Sequence, residues 1–207
     1  MTGSPNRWAL ALTILLLPGF LACAASRTFY VYPRYSGPPA ERVAGMPVVG
    51  LQALQDRRLE KPDYVGMRFL GGGRRETYLT GSGSLAGDLS AMVRAHAGAR
   101  GYAVRDVAGW DFAPEGLAAL GQGLKYVVGG EIKTLNVDAV QRFGRSEMVL
   151  TVEVMFYVGD VAGARVTRRP VRIRIERTDL AFDAPGLERH LNAALAETIA
   201  TGLKELP

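Results

Sequence analysis

The chain has 207 residues, with 25 Lys and Arg against 20 Asp and Glu and a formal net charge of +5. One cysteine excludes an intrachain disulfide framework and a cysteine-based zinc site, and two histidines argue against a multi-histidine metal centre. Hydrophobic residues at 48% and charged residues at 22% are ordinary for one globular domain, and the basic excess is too thin for a nucleic-acid binder.

The N-terminus has the anatomy of a secretory signal. Arg7 supplies a positive start, Trp8 to Leu17 is an uncharged apolar run, and Pro18-Gly19 breaks it before Phe20-Leu21-Ala22-Cys23. A spanning helix needs about 20 apolar residues, so cleavage is the expectation here. Phe20-Leu21-Ala22-Cys23 resembles a bacterial lipobox, with Phe20 where leucine is usual. The resemblance implies a signal peptide over 1–22 and a lipid anchor on Cys23, which becomes the first residue of the mature chain. It also implies sorting to the outer membrane, since Ala24 follows the cysteine and not aspartate. Cleavage removes Arg7 and no acid, leaving 24 basic residues against 20 acidic, a net +4.

Residues 23–46 read as a lipidated N-terminus and tether, partly stiffened by Pro33 and Pro38-Pro39. Within them Thr28-Phe29-Tyr30-Val31-Tyr32 fits either an edge strand or an aromatic patch near the membrane surface. Residues 47–207 read as a single domain. Val48 to Leu51 predicts a strand, Tyr64 to Leu70 a second that ends at Gly71-Gly72-Gly73, and Thr77 to Thr80 a short third. Leu85, Leu89, Met92, Val93 and His96 then fall at helical spacing behind Ser84 as N-cap. Tyr102 to Val104 is extended, and Pro114 opens a short helix carrying Leu117, Leu120 and Leu124.

The clearest strands follow. Tyr126 to Val137 is rich in valine. Met148 to Val158 puts Met148, Leu150, Val152, Val154, Phe156 and Val158 on one face against an only partly polar Thr151, Glu153, Met155 and Tyr157, and Arg169 to Arg177 sets Val171, Ile173 and Ile175 against Arg172, Arg174 and Glu176. A final helix spans about Pro185 to Glu205 with Asp183 as cap. This order predicts an α+β fold with two layers, a mainly antiparallel sheet and helices packed on one face.

The body is similar to YajG-type and related envelope lipoproteins. The similarity rests on Asp56-Arg57-Arg58 after the early strand, Ala99-Arg100-Gly101-Tyr102-Ala103-Val104, Leu124 to Ile132, and Leu191-Asn192-Ala193-Ala194-Leu195. It covers most of residues 47–205. It implies a periplasm-facing, non-enzymatic outer-membrane lipoprotein, with no catalytic residues to carry over.

The residues offer little chemistry of their own. Gly81-Ser82-Gly83-Ser84-Leu85-Ala86-Gly87 misses the dinucleotide spacing by one residue and reads as a capped helix start. His96 and His190 lack partners at metal-ligand spacing, and the position of His96 near a helix end favours a partly charged ring. Asp56 and Glu60, beside Arg57, Arg58 and Lys61, read as a salt-bridged turn more readily than as paired catalytic carboxylates. Arg168, Arg172 and Arg174 share strand parity. They are the candidate face for an anionic partner, against the plainer reading of a solvated outer face.

The expectation is therefore a lipid-anchored accessory or interaction module of the cell envelope with a protein partner. It takes no cofactor or metal and binds no nucleic acid. The alternative is an auxiliary subunit of an envelope lipid or lipopolysaccharide transport system, which would need an apolar groove between sheet and helices.

Overall fold

The computed structural model describes residues 26–37, 45, 47–121, 123–180, 182–204 and 206. Among these are nine strands in one sheet and two α-helices. The strands are β1 (Arg27–Val31), β2 (Val48–Gln52), β3 (Gln55–Asp56), β4 (Tyr64–Phe69), β5 (Arg75–Thr80), β6 (Ala103–Val107), β7 (Leu124–Arg142), β8 (Arg145–Asp160) and β9 (Arg165–Asp179). The helices are α1 (Leu85–Ala99) and α2 (Ala184–Gly202).

Strand β7 is the spine. Its 19 residues span about 60 Å at strand rise. One edge pairs with β8 along almost its whole length, and β8 pairs in turn with β9. The other edge is shared by β2, β3 and β4 in succession, so that residues 48–69 travel once along β7 in its own direction. Two wings extend from this edge. β6 lies beside β2, and β5 then β1 lie beside β4.

The α+β class and the helix-bearing face agree with the sequence expectation. The sheet is mostly antiparallel, as expected, but it is mixed. Its longest ladders, β7–β8 and β8–β9, are antiparallel, but five of the eight pairings are parallel. Two-residue periodicity reports which side chains share a face and is silent on strand direction. The stretch 27–31, inside the region read as a tether, is the edge strand β1, one of the two alternatives that its aromatics allowed.

Helices α1 and α2 cover one face. Met148, Leu150, Val152, Val154 and Phe156 of β8 join Leu85, Leu89 and Met92 of α1 and Leu187, Leu191, Leu195 and Ile199 of α2 in one core. Caps terminate both helices as their sequences ask. Ser84 Oγ accepts the Gly87 N–H at 3.1 Å, and Asp183 Oδ1 accepts the Gly186 N–H at 2.7 Å. Arg100 closes the other ends, its guanidinium donating to the carbonyls of Leu203 (3.3 Å) and Leu206 (2.8 Å). The helix–sheet interface is tight. A Cβ on Gly202 would lie 2.2 Å from the Phe156 ring, so glycine lets α2 approach the strand. Along this contact Val152, Val154, Leu191 and Leu195 are wholly buried, so the space in which the transport alternative needed a groove is filled.

The short helix that Pro114 opens is a 3-10 helix ending at Leu120, and Leu124 already belongs to β7. This helix packs on the opposite face of the sheet, where Trp110, Phe112, Leu117, Leu124 and Val127 form a second, smaller cluster.

Candidate functional site

Cys23 and Ala24 lie outside the described residues. The arginine face is described. Register places Arg168, Arg172 and Arg174 of β9 opposite Tyr157, Glu153 and Thr151 of β8, so the three share the helix-free face. All three are exposed. They differ in their surroundings. Arg168 stands 5.9 Å from the Tyr157 ring centroid, Arg174 pairs with Glu176 at 2.8 Å, and Arg172 faces Glu153 across the ladder. Arg169 and Arg177 lie opposite Phe156 and Met148, on the helix-bearing side.

Beside Arg168 is a polar hollow of about 400 Å³ that sequence reasoning did not find. At its floor, Glu131 of β7 accepts hydrogen bonds from Lys133 Nζ (2.7 Å), Arg57 Nε (3.1 Å) and the Tyr157 hydroxyl (3.1 Å). The Lys133 hydrogen bond holds this carboxyl below the usual carboxylate range. Partial burial pushes the other way, and the Arg57 and Tyr157 bonds outweigh it. Burial raises the Tyr157 phenol, and its bond to Glu131 raises it further.

One wall is aromatic. Phe112 stacks on Tyr157 with ring centroids 4.3 Å apart and planes 5° from parallel, and Trp110 meets Phe112 edge-on at 5.3 Å. Phe112 has a φ of +62°, a costly conformation for a bulky side chain. Gly129 makes room beneath, since a Cβ there would lie 2.5 Å from the Phe112 ring. The arrangement can hold a small anionic or planar group between Arg57 and Arg168. It is poorly suited to proton abstraction, because Glu131 already accepts from three donors. Its parts come from β7, β8, β9 and two loops, a grouping that spacing along the chain does not reveal. The one signal in the sequence that could have found it is the aromatic pair Trp110 and Phe112.

A second, more apolar groove of about 550 Å³ opens on the same face further along the sheet. It lies between Lys61, Tyr64, Met67, Thr77, Leu79 and Asn136.

The remaining candidates resolve as structural. Asp56 and Arg58 form the salt-bridged turn, with Asp56 Oδ2 2.8 Å from the Arg58 Nη2. Arg58 is almost wholly buried and also donates to the carbonyls of Tyr64 (2.7 Å) and Leu135 (3.2 Å). Burial raises the Asp56 carboxyl, but the Arg58 hydrogen bonds and charge prevail and leave it lowered. Glu60 is exposed at the apolar groove. At the glycine-serine loop, Asp88 accepts from Ser82 Oγ (2.8 Å) and from the Thr80 hydroxyl, so the loop hydroxyls are taken up by a carboxylate of the chain itself. His96 is buried, with Nδ1 3.1 Å from the Tyr35 hydroxyl. Burial, then the Arg100 charge, pushes its pKa down, which corrects the expectation of a partly charged ring. His190 lies 3.9 Å from Asp179.

No family model matches the chain, and no curated protein does. Solved structures do match. An uncharacterized protein superposes on 88% of this chain and 100% of its own, with a TM-score of 0.55 and 9% identity. Protein XCC0632 from Xanthomonas campestris, of family DUF330, covers 87% of this chain and 97% of its own, with a TM-score of 0.47 and 13% identity. Lipoprotein GNA1162 from Neisseria meningitidis covers 74% and 98%, with a TM-score of 0.41 and 14% identity. At such identities the likeness is one of fold.

Proposed function

We propose that the protein is a lipid-anchored, periplasm-facing outer-membrane lipoprotein that works as a non-enzymatic interaction module of the cell envelope. The observation that carries this reading is Phe20-Leu21-Ala22-Cys23, placed directly after a ten-residue apolar run that Pro18-Gly19 breaks too early for a membrane span. Several acyl chains on one cysteine make a lasting anchor, since each buried CH₂ contributes about 0.8 kcal/mol and a single chain holds only marginally.

The fold supports a docking role. One sheet face is taken up by α1 and α2, and the other presents the three arginines, the Glu131 hollow and the Tyr64 groove. An acidic protein surface is the partner that suits this arginine strip. A lipid-handling role would have to use the open groove beside Tyr64, because the helix–sheet contact is packed.

The test is metabolic labelling with a radioactive fatty acid. Label is expected in the wild type and not in Cys23→Ser, and label that survives the substitution would remove the anchor from this reading.

A further inference from the structure

Six strands end together on one short side of the sheet. Register puts Arg27 of β1 opposite Glu76 of β5, and Arg75 of β5 opposite Phe69 of β4. Phe69 in turn lies opposite Val140 of β7, Arg142 opposite Arg145 of β8, and Ser146 opposite Asp179 of β9. At strand spacing this rim is about 24 Å across.

Three large hydrophobic side chains stand exposed along it: Phe69 at 48%, Phe143 at 104% and Leu180 at 79%. Phe143 forms the tip of the β7–β8 hairpin with a φ of +49°, a strained position for an aromatic residue that buries nothing within the fold. Arg27, Arg74, Arg75, Arg142 and Arg145 surround these tips, all exposed. Acids there are few and mostly engaged. Glu76 is buried against Arg68 at 3.2 Å, and Asp179 lies 3.9 Å from His190, which leaves Glu147.

The path of the chain converges on the same place. β1 joins the sheet at Arg27, at the rim, and only Ala24, Ala25 and Ser26 separate it from Cys23. Even fully extended, four residue steps reach about 14 Å. An acylated Cys23 therefore holds the rim close to the bilayer and does not let the domain hang free on a long tether.

We infer that this rim is a membrane-contact surface, seated on the anionic phosphate headgroups of the leaflet that holds the lipid. Phe143, Phe69 and Leu180 enter the headgroup layer, and the arginines pair with phosphates around them. The inference rests on the acylation of Cys23 proposed above.

The test uses the full acylated protein reconstituted in vesicles of neutral lipid with about a third anionic lipid, a choice that makes the charge term measurable. Cys23 is the one cysteine of the chain, so Phe143→Cys, Leu180→Cys and Ala162→Cys each carry a single free thiol for an environment-sensitive fluorophore. Ala162 is exposed in the turn after β8, about 50 Å from the rim along that strand. Lipid-borne quenchers are expected to quench the 143 and 180 probes at least threefold more than the 162 probe. Adding Arg142→Glu and Arg145→Glu should halve the quenching at 143. Equal or absent quenching at all three sites in vesicle-bound protein overturns the rim. Fluorophore uptake by the wild type, through a free Cys23 thiol, overturns the anchor, and the rim that depends on it falls with it.

Discussion

The two faces of one strand, β8, show how differently the same alternation is used. Leu150, Val152, Val154 and Phe156 point into the helix-bearing core and are wholly buried. Thr151, Glu153, Met155 and Tyr157, one residue along in each case, point to the other face and are only partly covered. Closure on the first face comes from two amphipathic helices. On the second face it comes from the short Trp110–Leu120 segment, which reaches one end of the sheet only. The comparison teaches that the stability of this domain is concentrated on one face, which leaves the other free to carry charge, strain and grooves.

Neighbouring substitutions on β8 test that division most sharply. Phe156→Ala removes a buried ring against which α2 packs and should cost about 3–5 kcal/mol. Met155→Ala, one residue away on the open face, should cost no more than about 1 kcal/mol. Chemical denaturation of the two variants measures the difference, and equal losses would break the comparison.

A smaller effect is expected at the buried Arg58, which ties the loop after β3 to β4 and β7. Arg58→Ala strands Asp56 and the carbonyls of Lys61, Pro62, Tyr64 and Leu135, and should cost about 3 kcal/mol at neutral pH. The sign of its pH dependence follows from Asp56, whose folded pKa is lowered. Its contribution is complete above the ordinary carboxylate value of about 4 and is lost as pH falls through the folded value. Denaturation at a series of pH values should therefore show the wild-type advantage over Arg58→Ala narrowing in acid, and a gap that widens there would contradict the Asp56–Arg58 assignment.

The smallest change in stability is expected on the open face. Replacing Arg168, Arg172 and Arg174 by serine should shift stability by within about 0.5 kcal/mol per site. The same triple change should abolish crosslinking to the proposed envelope partner in cells. An intact crosslink would move the docking surface off this strip.

Much of the architecture was legible in the residues because it depends on local rules. The periods of 2 and 3.6, Ser84 and Asp183 as caps, and Gly71–Gly73 as a stop each act within a few residues, and each lies where the sequence placed it. Leu187, Leu191, Leu195, Thr198 and Ile199 line the buried side of α2 as their spacing requires. Of the candidate site, the shared face of Arg168, Arg172 and Arg174 followed from parity alone. The Glu131 hollow did not, because Arg57, Phe112, Glu131, Tyr157 and Arg168 come from five separate stretches of chain.

By itself, the sequence determined the α+β class, most of the strand and helix positions, and the cysteine that follows a broken apolar run. Only the tertiary structure decided that β2, β3 and β4 run parallel along β7, that residues 27–31 add an edge strand, and that the segment after Trp110 crosses to the helix-free face. The reason is physical. Backbone hydrogen bonds carry no record of which distant strand they will join or in which direction, and that choice is made by the side chains that must be buried together.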